Sequence, residues 1–261
     1  VNIVVCIKQV PGTTEVKIDP QTNTLVREGV EAMTNPFDTY ALEEAVRLKE
    51  RTGGKVTALT MGPSQAEKAL RDAISIGVDE AVLLSDPSFA ASDTLATSYV
   101  LAKAIEKIGS WDLIICGKQT LDGDTGQVGP ELAEHLGVPF VTCVRKVREM
   151  GENFLKLERM IEEGYELVEM PLPGLITVVK EINEPRLPSL RGMMAAKKAE
   201  IPIWTAKEIN AEADKIGIDG SPTQVVKIFT PRKELKSEIL EGDLEKQVSQ
   251  LLGKLKRAEV I

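Results

Sequence analysis

Along the first half of the chain, short apolar runs rich in β-branched residues alternate with longer stretches whose apolar positions recur at helical spacing. Asn2–Lys8 (NIVVCIK), Lys55–Met61 (KVTALTM), Ala81–Leu84 and Asp112–Gly117 (DLIICG) have the continuous hydrophobicity of strands buried on both faces of a parallel sheet. Thr39–Arg51 places Ala41, Leu42, Ala45, Val46 and Leu48 on one stripe with charges opposite, which predicts a helix, and Asp38 stands where its N-cap belongs. Ser64 and Glu67 have the spacing of a capping box that opens a second helix, ending near Gly77. Ser92–Ile108 predicts a third, capped by Ser92 or Asp93. Alternation of this kind requires right-handed crossovers and gives an α/β fold, an open, mainly parallel sheet with helices on both faces. Such sheets bind ligands beyond the carboxyl ends of their strands, where this chain carries Gln9-Val10-Pro11-Gly12, Met61-Gly62-Pro63 and Gly117-Lys118-Gln119.

From about Phe140 the rhythm changes. Phe140–Val147, Phe154–Leu157, Tyr165–Met170 and Gly174–Lys180 come in succession without long helices and read as hairpin or edge strands added to the sheet. The pattern breaks at Asn183-Glu184-Pro185-Arg186-Leu187-Pro188. Beyond Ile201 only short segments and one amphipathic helix, about Asp243 to Arg257, remain. That tail has too little apolar content for a core of its own and is expected to lie against something else. The expected organisation is therefore an α/β domain over residues 1–200, including the segment at 183–198, and an extended C-terminal arm over residues 201–261.

Charge and composition then remove several function classes. A net charge of −8 argues against a general nucleic-acid binder, which needs a basic face for phosphates. Cys6, Cys116 and Cys143 are far apart, each in an apolar run, and read as buried reduced thiols; with a single histidine, a structural zinc site is not expected. The chain opens on a strand pattern without a basic leader, and no apolar stretch nears the roughly 20 residues that cross a membrane. The expectation is a soluble, cytoplasmic protein.

The segment with most chemical content is Gly117–Pro130, which leaves a buried strand and enters a helix. Gly123, Gly126 and Gly129 allow close backbone approach, Thr125 offers a hydroxyl, and the helix start offers free N–H groups to an anion. It is neither a Walker loop nor a GxGxxG fingerprint, so a phosphate cradle competes with a plain strand-to-helix turn. Asn35-Pro36-Phe37-Asp38 reads either as loop and cap or as contacts to an adenosine lying over the strand ends. His135, near a helix end, has no Ser, Cys or carboxylate set around it, and a helix-surface role is expected. Glu43-Glu44 and Glu162-Glu163 read as solvated faces. No catalytic side chains can be assembled, so any redox chemistry must belong to a cofactor. Finally, Ser189–Lys198 sets Leu190, Met193 and Met194 beside Arg191, Lys197 and Lys198, either as an ordinary amphipathic helix or as an apolar docking anchor with a basic rim.

Taken together, Cys6-Ile7-Lys8-Gln9-Val10-Pro11, Asn35-Pro36-Phe37-Asp38, Gly117-Lys118-Gln119, Thr125-Gly126-Gln127-Val128 and Asn183-Glu184-Pro185-Arg186 with Leu190–Lys198 resemble the β subunit of electron-transfer flavoproteins, in order along essentially the whole chain. The resemblance implies an adenine-nucleotide alpha-hydrolase-like domain whose arm packs on a larger α subunit. It further implies a heterodimeric electron carrier, with no side-chain catalysis, serving flavin dehydrogenases. Respiratory members of that family hold AMP in this subunit; electron-bifurcating members hold a second FAD that accepts hydride from NADH and divides its electrons between the α-subunit FAD, leading to an acyl-CoA dehydrogenase, and a low-potential acceptor such as ferredoxin or flavodoxin. By position, Cys6, Asn35, Pro36, Phe37, Asp38, Met61, Asp122, Gly123, Asp124, Thr125, Gly126, Gln127 and Val128 would hold the nucleotide, and Leu190, with Arg191, Met193 and Met194, would dock the dehydrogenase.

Two departures from the respiratory pattern favour FAD over AMP. The loop from Asp122 to Gln127 is about three residues shorter than in respiratory relatives, which leaves room for an isoalloxazine. Ser92-Asp93-Thr94-Leu95-Ala96-Thr97 also resembles the bifurcating members, adding Asp93, Thr94 and Thr97 to the cofactor residues. Alternatives are an AMP-holding, non-bifurcating subunit and a regulatory adenine-nucleotide module of the universal-stress kind, against which the long arm and the Leu190 segment speak.

Overall fold

The computed structural model describes residues 1–12, 32–226 and 237–261. In chain order the elements are β1 (Asn2–Cys6), β2 (Gln9–Pro11), β3 (Ala32–Thr34), α1 (Pro36–Thr52), β4 (Lys55–Met61), α2 (Glu67–Ser75), β5 (Glu80–Leu84), α3 (Thr94–Ile108), β6 (Leu113–Gly117), α4 (Val128–Leu136), β7 (Phe140–Met150), β8 (Phe154–Ile161), β9 (Gly164–Pro171), β10 (Gly174–Val178), α5 (Leu190–Lys198), β11 (Ile203–Trp204) and α6 (Leu244–Arg257).

One nine-stranded sheet runs in the order β11-β5-β4-β1-β6-β10-β7-β8-β9, and β2 pairs antiparallel with β3 in a separate ribbon. All pairings from β11 to β7 are parallel; β8 and β9 are antiparallel. From β1 the chain builds outward through β4 and β5, then returns to lay β6 on the other side of β1. The order therefore reverses between β1 and β6, and a crevice opens there at the carboxyl ends. Helices α1 and α2 bury Ala41, Leu42, Ala45, Leu70 and Ala73 against Ile3, Val5 and Ile115 on one face. Helices α3 and α4 bury Val100, Ile105 and Leu132 against Val4, Leu59 and Ile114 on the other. The mainly parallel α/β architecture expected from the alternation is the one found.

Several local expectations are corrected. Asn35, not Asp38, occupies the N-cap position of α1; Asp38 lies one turn in and turns its carboxylate inward. Ser64 begins a 3-10 turn and caps nothing; α2 opens at Glu67, which pairs with Arg71 instead of reaching back. Gly174–Val178 is not an edge strand: β10 lies between β6 and β7 with all five residues buried, as its unbroken apolar composition requires. Cys143 is half-buried, on a β7 bulge where its N–H bonds the Thr177 hydroxyl at 3.1 Å, whereas Cys6 and Cys116 are buried. Glu43 and Glu44 are buried, not solvated.

The chain divides into two compact units, Val1–Val226 and Lys227–Ile261. Much of the stretch after Ile201 is thus packed on the domain: β11 extends the sheet beside β5, and Ile209 and Ile216 enter the core. In the second unit α6 is capped by Asp243, which accepts from Lys246 N–H at 2.9 Å, and leaves Leu244, Val248, Leu251 and Leu252 exposed. No described helix is long and apolar enough to cross a membrane.

Candidate functional site

The β1/β6 crevice is built from the inside out by two side chains at the start of α1. Asp38, fully desolvated, accepts from Lys8 N–H at 2.7 Å and from Gly117 N–H, so one carboxylate ties the chain just beyond β1 to the end of β6. Burial pushes its pKa up to about 7, even though those N–H groups and the Lys8 charge pull it down. Asn35, also buried, donates to Gln119 C=O at 2.9 Å and accepts from Leu121 N–H at 3.1 Å, holding the root of the loop that leaves β6. A Cβ at Gly117 would collide with Asp38 and sit 2.8 Å from Phe37, so only glycine passes between α1 and β6 here.

Beyond those anchors, residues 121–125 and 127 are exposed. Asp124 and Gly126 both have positive φ, 52° and 67°, and turn the backbone so that the loop runs into α4. No side chain caps α4, whose first-turn N–H groups are left for an incoming acceptor. Lys8 closes the rim with a two-pronged pair to Asp122 at 2.7 Å. Burial alone would raise the Asp122 carboxyl, but the Lys8 hydrogen bond and charge carry it below the ordinary range. On the far side the Thr94 hydroxyl, at the start of α3, reaches Gln127 at 3.3 Å and Glu131 at 3.1 Å. Burial raises the Glu131 carboxyl, and one of its oxygens is buried without a partner.

Of the residues expected around a nucleotide, Asn35, Asp38, Asp122, Thr94 and Gln127 are tied to the loop and its surroundings, but with divided roles. Asn35 and Asp38 brace the loop from below, leaving Pro36 and Phe37 half-exposed. Asp93 is committed to structure: Oδ1 caps α3 at Ala96 N–H, and Oδ2 accepts from Thr223 N–H at 3.0 Å and its hydroxyl at 2.8 Å. Cys6 and Cys116 are in register on β1 and β6; the hydrogen bond from Cys6, then burial, pushes the Cys116 thiol well up, so Cys116 is not a poised nucleophile. Met61 closes β4 and packs at the rim of the core; Thr97 lies one turn into α3. His135 packs edge-on to Tyr99, 5.9 Å between centroids, away from the loop. Two further residues stand out: Lys8, the first charge beyond β1, and Thr34, next to Asn35, whose buried hydroxyl has no partner.

The crevice fits a nucleotide on three observations: an exposed glycine-containing loop, an uncapped helix start, and polar atoms of Thr34 and Glu131 without protein partners. A separate cavity of about 550 Å³ lies at the opposite, amino-terminal edge of the sheet, where Lys55 pairs with Glu80, Asp79 with Lys49, and Lys107 lies over the Trp204 ring. Among the described residues no group of three or more His, Cys, Asp or Glu is placed to hold a metal. The apolar segment after the Pro-rich break is the helix α5, where only Ala196 is buried while Leu190, Met193 and Met194 are exposed.

Fold and site together define a doubly wound α/β domain with a switch-point crevice suited to an anionic nucleotide. A family model for the electron transfer flavoprotein domain matches residues 22–209. The chain is 50% identical, over the full length of both, to the electron transfer flavoprotein subunit beta of Thermoanaerobacterium thermosaccharolyticum. It is 44% identical, again over the full length of both, to the Caffeyl-CoA reductase-Etf complex subunit CarD of Acetobacterium woodii. With protein FixA of Azorhizobium caulinodans it shares 46% identity over 88% of this chain and 84% of that one. The chain belongs to the electron transfer flavoprotein family, on the beta-subunit side.

Proposed function

We propose that this protein is the nucleotide-holding β subunit of a heterodimeric, electron-bifurcating electron-transfer flavoprotein. It carries FAD at the β1/β6 crevice and accepts hydride from NADH. Its electrons are divided between an α-subunit FAD that serves an acyl-CoA dehydrogenase and a low-potential acceptor, ferredoxin or flavodoxin. The observation that carries the reading is the short, exposed loop of residues 121–127 entering an uncapped α4. The similarity to a subunit of a caffeyl-CoA reductase complex adds support, because that name places an electron-transfer flavoprotein together with a CoA-ester reductase.

A bound flavin supplies the hydride acceptance and single-electron release that no side chain here offers. The chain's own work is to hold it. Backbone N–H groups at Gly126–Gly129 and the α4 dipole favour a diphosphate. Lys8, paired with Asp122 at the rim, would offer its ammonium to a phosphate oxygen. Asp38 and Asn35 keep the loop root fixed, so little order has to be gained on binding. The Thr34 hydroxyl and one Glu131 oxygen, both without protein partners, would be free to bond the nucleotide. The exposed stripe of α6 is the surface offered to the α subunit.

Denaturing extraction of the purified heterodimer tests this directly. Two FAD and no AMP per heterodimer is the expected content. One FAD with one AMP would make the protein a non-bifurcating carrier.

A further inference from the structure

The segment leading into α5 is not a loose connection. Asn183 donates through one amide to Tyr40 C=O and to Glu44, each at 3.1 Å. Arg47 donates to Glu184 C=O at 2.9 Å. Arg186 makes the densest set: its Nε reaches Glu43 at 2.8 Å, its backbone N–H reaches the same carboxylate at 3.1 Å, and the outer guanidinium nitrogens reach Glu50 at 2.6 and 3.0 Å. Glu43 is only 1% exposed. Its burial alone would raise its pKa, yet Arg186 and then Arg47 hold it below the ordinary range, so the carboxylate stays charged inside. The helix itself is seated with equal care. A Cβ at Gly192 would collide with Ser75 C=O at the end of α2, and Arg71 of α2 donates to the Ala196 carbonyl and, at 3.4 Å, to that of Ala199.

The outward side of this segment is the reverse in character. Leu187 is 88% exposed, Leu190 79% and Met194 61%, with Arg191, Lys197 and Lys198 around them. A solvated apolar group gains nothing from such bracing in the isolated chain. The bracing does reduce the ordering cost when those groups enter a partner's pocket. The guanidinium fork is what joins the two halves: it is the last fixed point before Leu187, and it is attached to α1, the helix whose first turn braces the crevice.

We propose that Arg186, through Glu43 and Glu50, is a positioning residue for electron delivery: it presents Leu187 and Leu190 in fixed geometry to the dehydrogenase. It rests on the docking role assigned to Leu190. Lysine cannot replace it fully, because a single ammonium cannot fork between two carboxylates while aligning the backbone N–H.

The test measures reduction of an acyl-CoA dehydrogenase, and separately of a small dye, by the whole heterodimer. Variants are Arg186→Lys, the double variant Glu43→Gln/Arg186→Gln, which leaves no lone buried charge, and Leu190→Ala as control. Expected for the double variant is a rise in KM for the dehydrogenase of about three- to tenfold with kcat and dye reduction unchanged, and for Arg186→Lys a smaller rise. If Leu190→Ala raises KM and neither Arg186 variant does, the positioning role is overturned while docking at Leu190 stands. If Leu190→Ala is silent, the docking role falls and takes this proposal with it. Should the double variant not fold, an unchanged KM in Arg186→Lys alone overturns it.

Discussion

Helix α1 serves two regions in opposite ways. At its start, the polar side chains Asn35 and Asp38 point inward and bond the backbone of the neighbouring loops. Further along, Glu43 and Glu50 bind backbone and guanidinium groups, and Glu44 a side-chain amide, of another segment, but that segment turns apolar side chains outward. On the proposed reading, the first region would recognise with main chain and be sensitive to anything that moves it. The second would recognise with side chains that are exposed and separable from the fold. The contrast teaches where a mutation should destroy structure and where it should remove only an interaction.

The sharpest way to break that comparison is at Gly117. Gly117→Ala forces a methyl group into Asp38 and Phe37, overpacking where loop and helix cross. We expect a loss of about 1–3 kcal/mol or more in thermal unfolding, together with loss of the nucleotide. An alanine variant with wild-type melting and full cofactor content would mean the crevice is not braced as described.

Next in size is the proton dependence at Asp38. Its folded pKa is raised to about 7 from 3.8, so its contribution to stability is present below the unfolded value and lost as pH rises through 7. Asp38→Asn does not titrate. The stability gap between wild type and variant should therefore be largest near pH 4 and shrink toward pH 7, measured by denaturant unfolding across that range. A gap that widens toward neutral pH would show that Asp38 is held as a carboxylate, not protonated by burial.

Smallest on the fold, and confined to the partner, is Leu190→Ala. Leu190 is 79% exposed, so melting should be unchanged, while affinity for the dehydrogenase falls about tenfold or more, the worth of roughly 1.5–3 kcal/mol from burying one leucine. A shift in melting with unchanged transfer kinetics would reverse the assignment of that surface.

The sequence made the sheet legible because strands buried on both faces cannot be anything but continuously apolar, and β1, β4, β5 and β6 lie within a residue or two of their expected bounds. It hid β10, since an unbroken apolar run says that a strand is central but not between which neighbours. It hid the true work of Asp38, because a carboxylate before a helix has the same local signature whether it caps its own helix or clamps two distant loops. Burial of Glu43 and Glu44 was invisible for a related reason: two adjacent acids look solvated until the arginine that pairs with one, 143 residues away, is brought up by the fold. The resemblance and the glycine placement pointed to the loop beside α1, whereas the pair of Lys8 with Asp122 emerges only once β1 and the loop meet.

The most direct test of the central claim, that the backbone of the loop entering α4 holds the nucleotide, is the cofactor content of the heterodimer carrying Gly126→Val set beside Gln127→Ala. Gly126 has φ of 67°, where a β-branched residue is strained by about 1–3 kcal/mol, while the Gln127 side chain is exposed and caps nothing. We expect Gly126→Val to lose one flavin of two and with it reduction by NADH, the α-subunit flavin remaining, and Gln127→Ala to keep both. Full flavin content in Gly126→Val, or loss in Gln127→Ala alone, would contradict that claim.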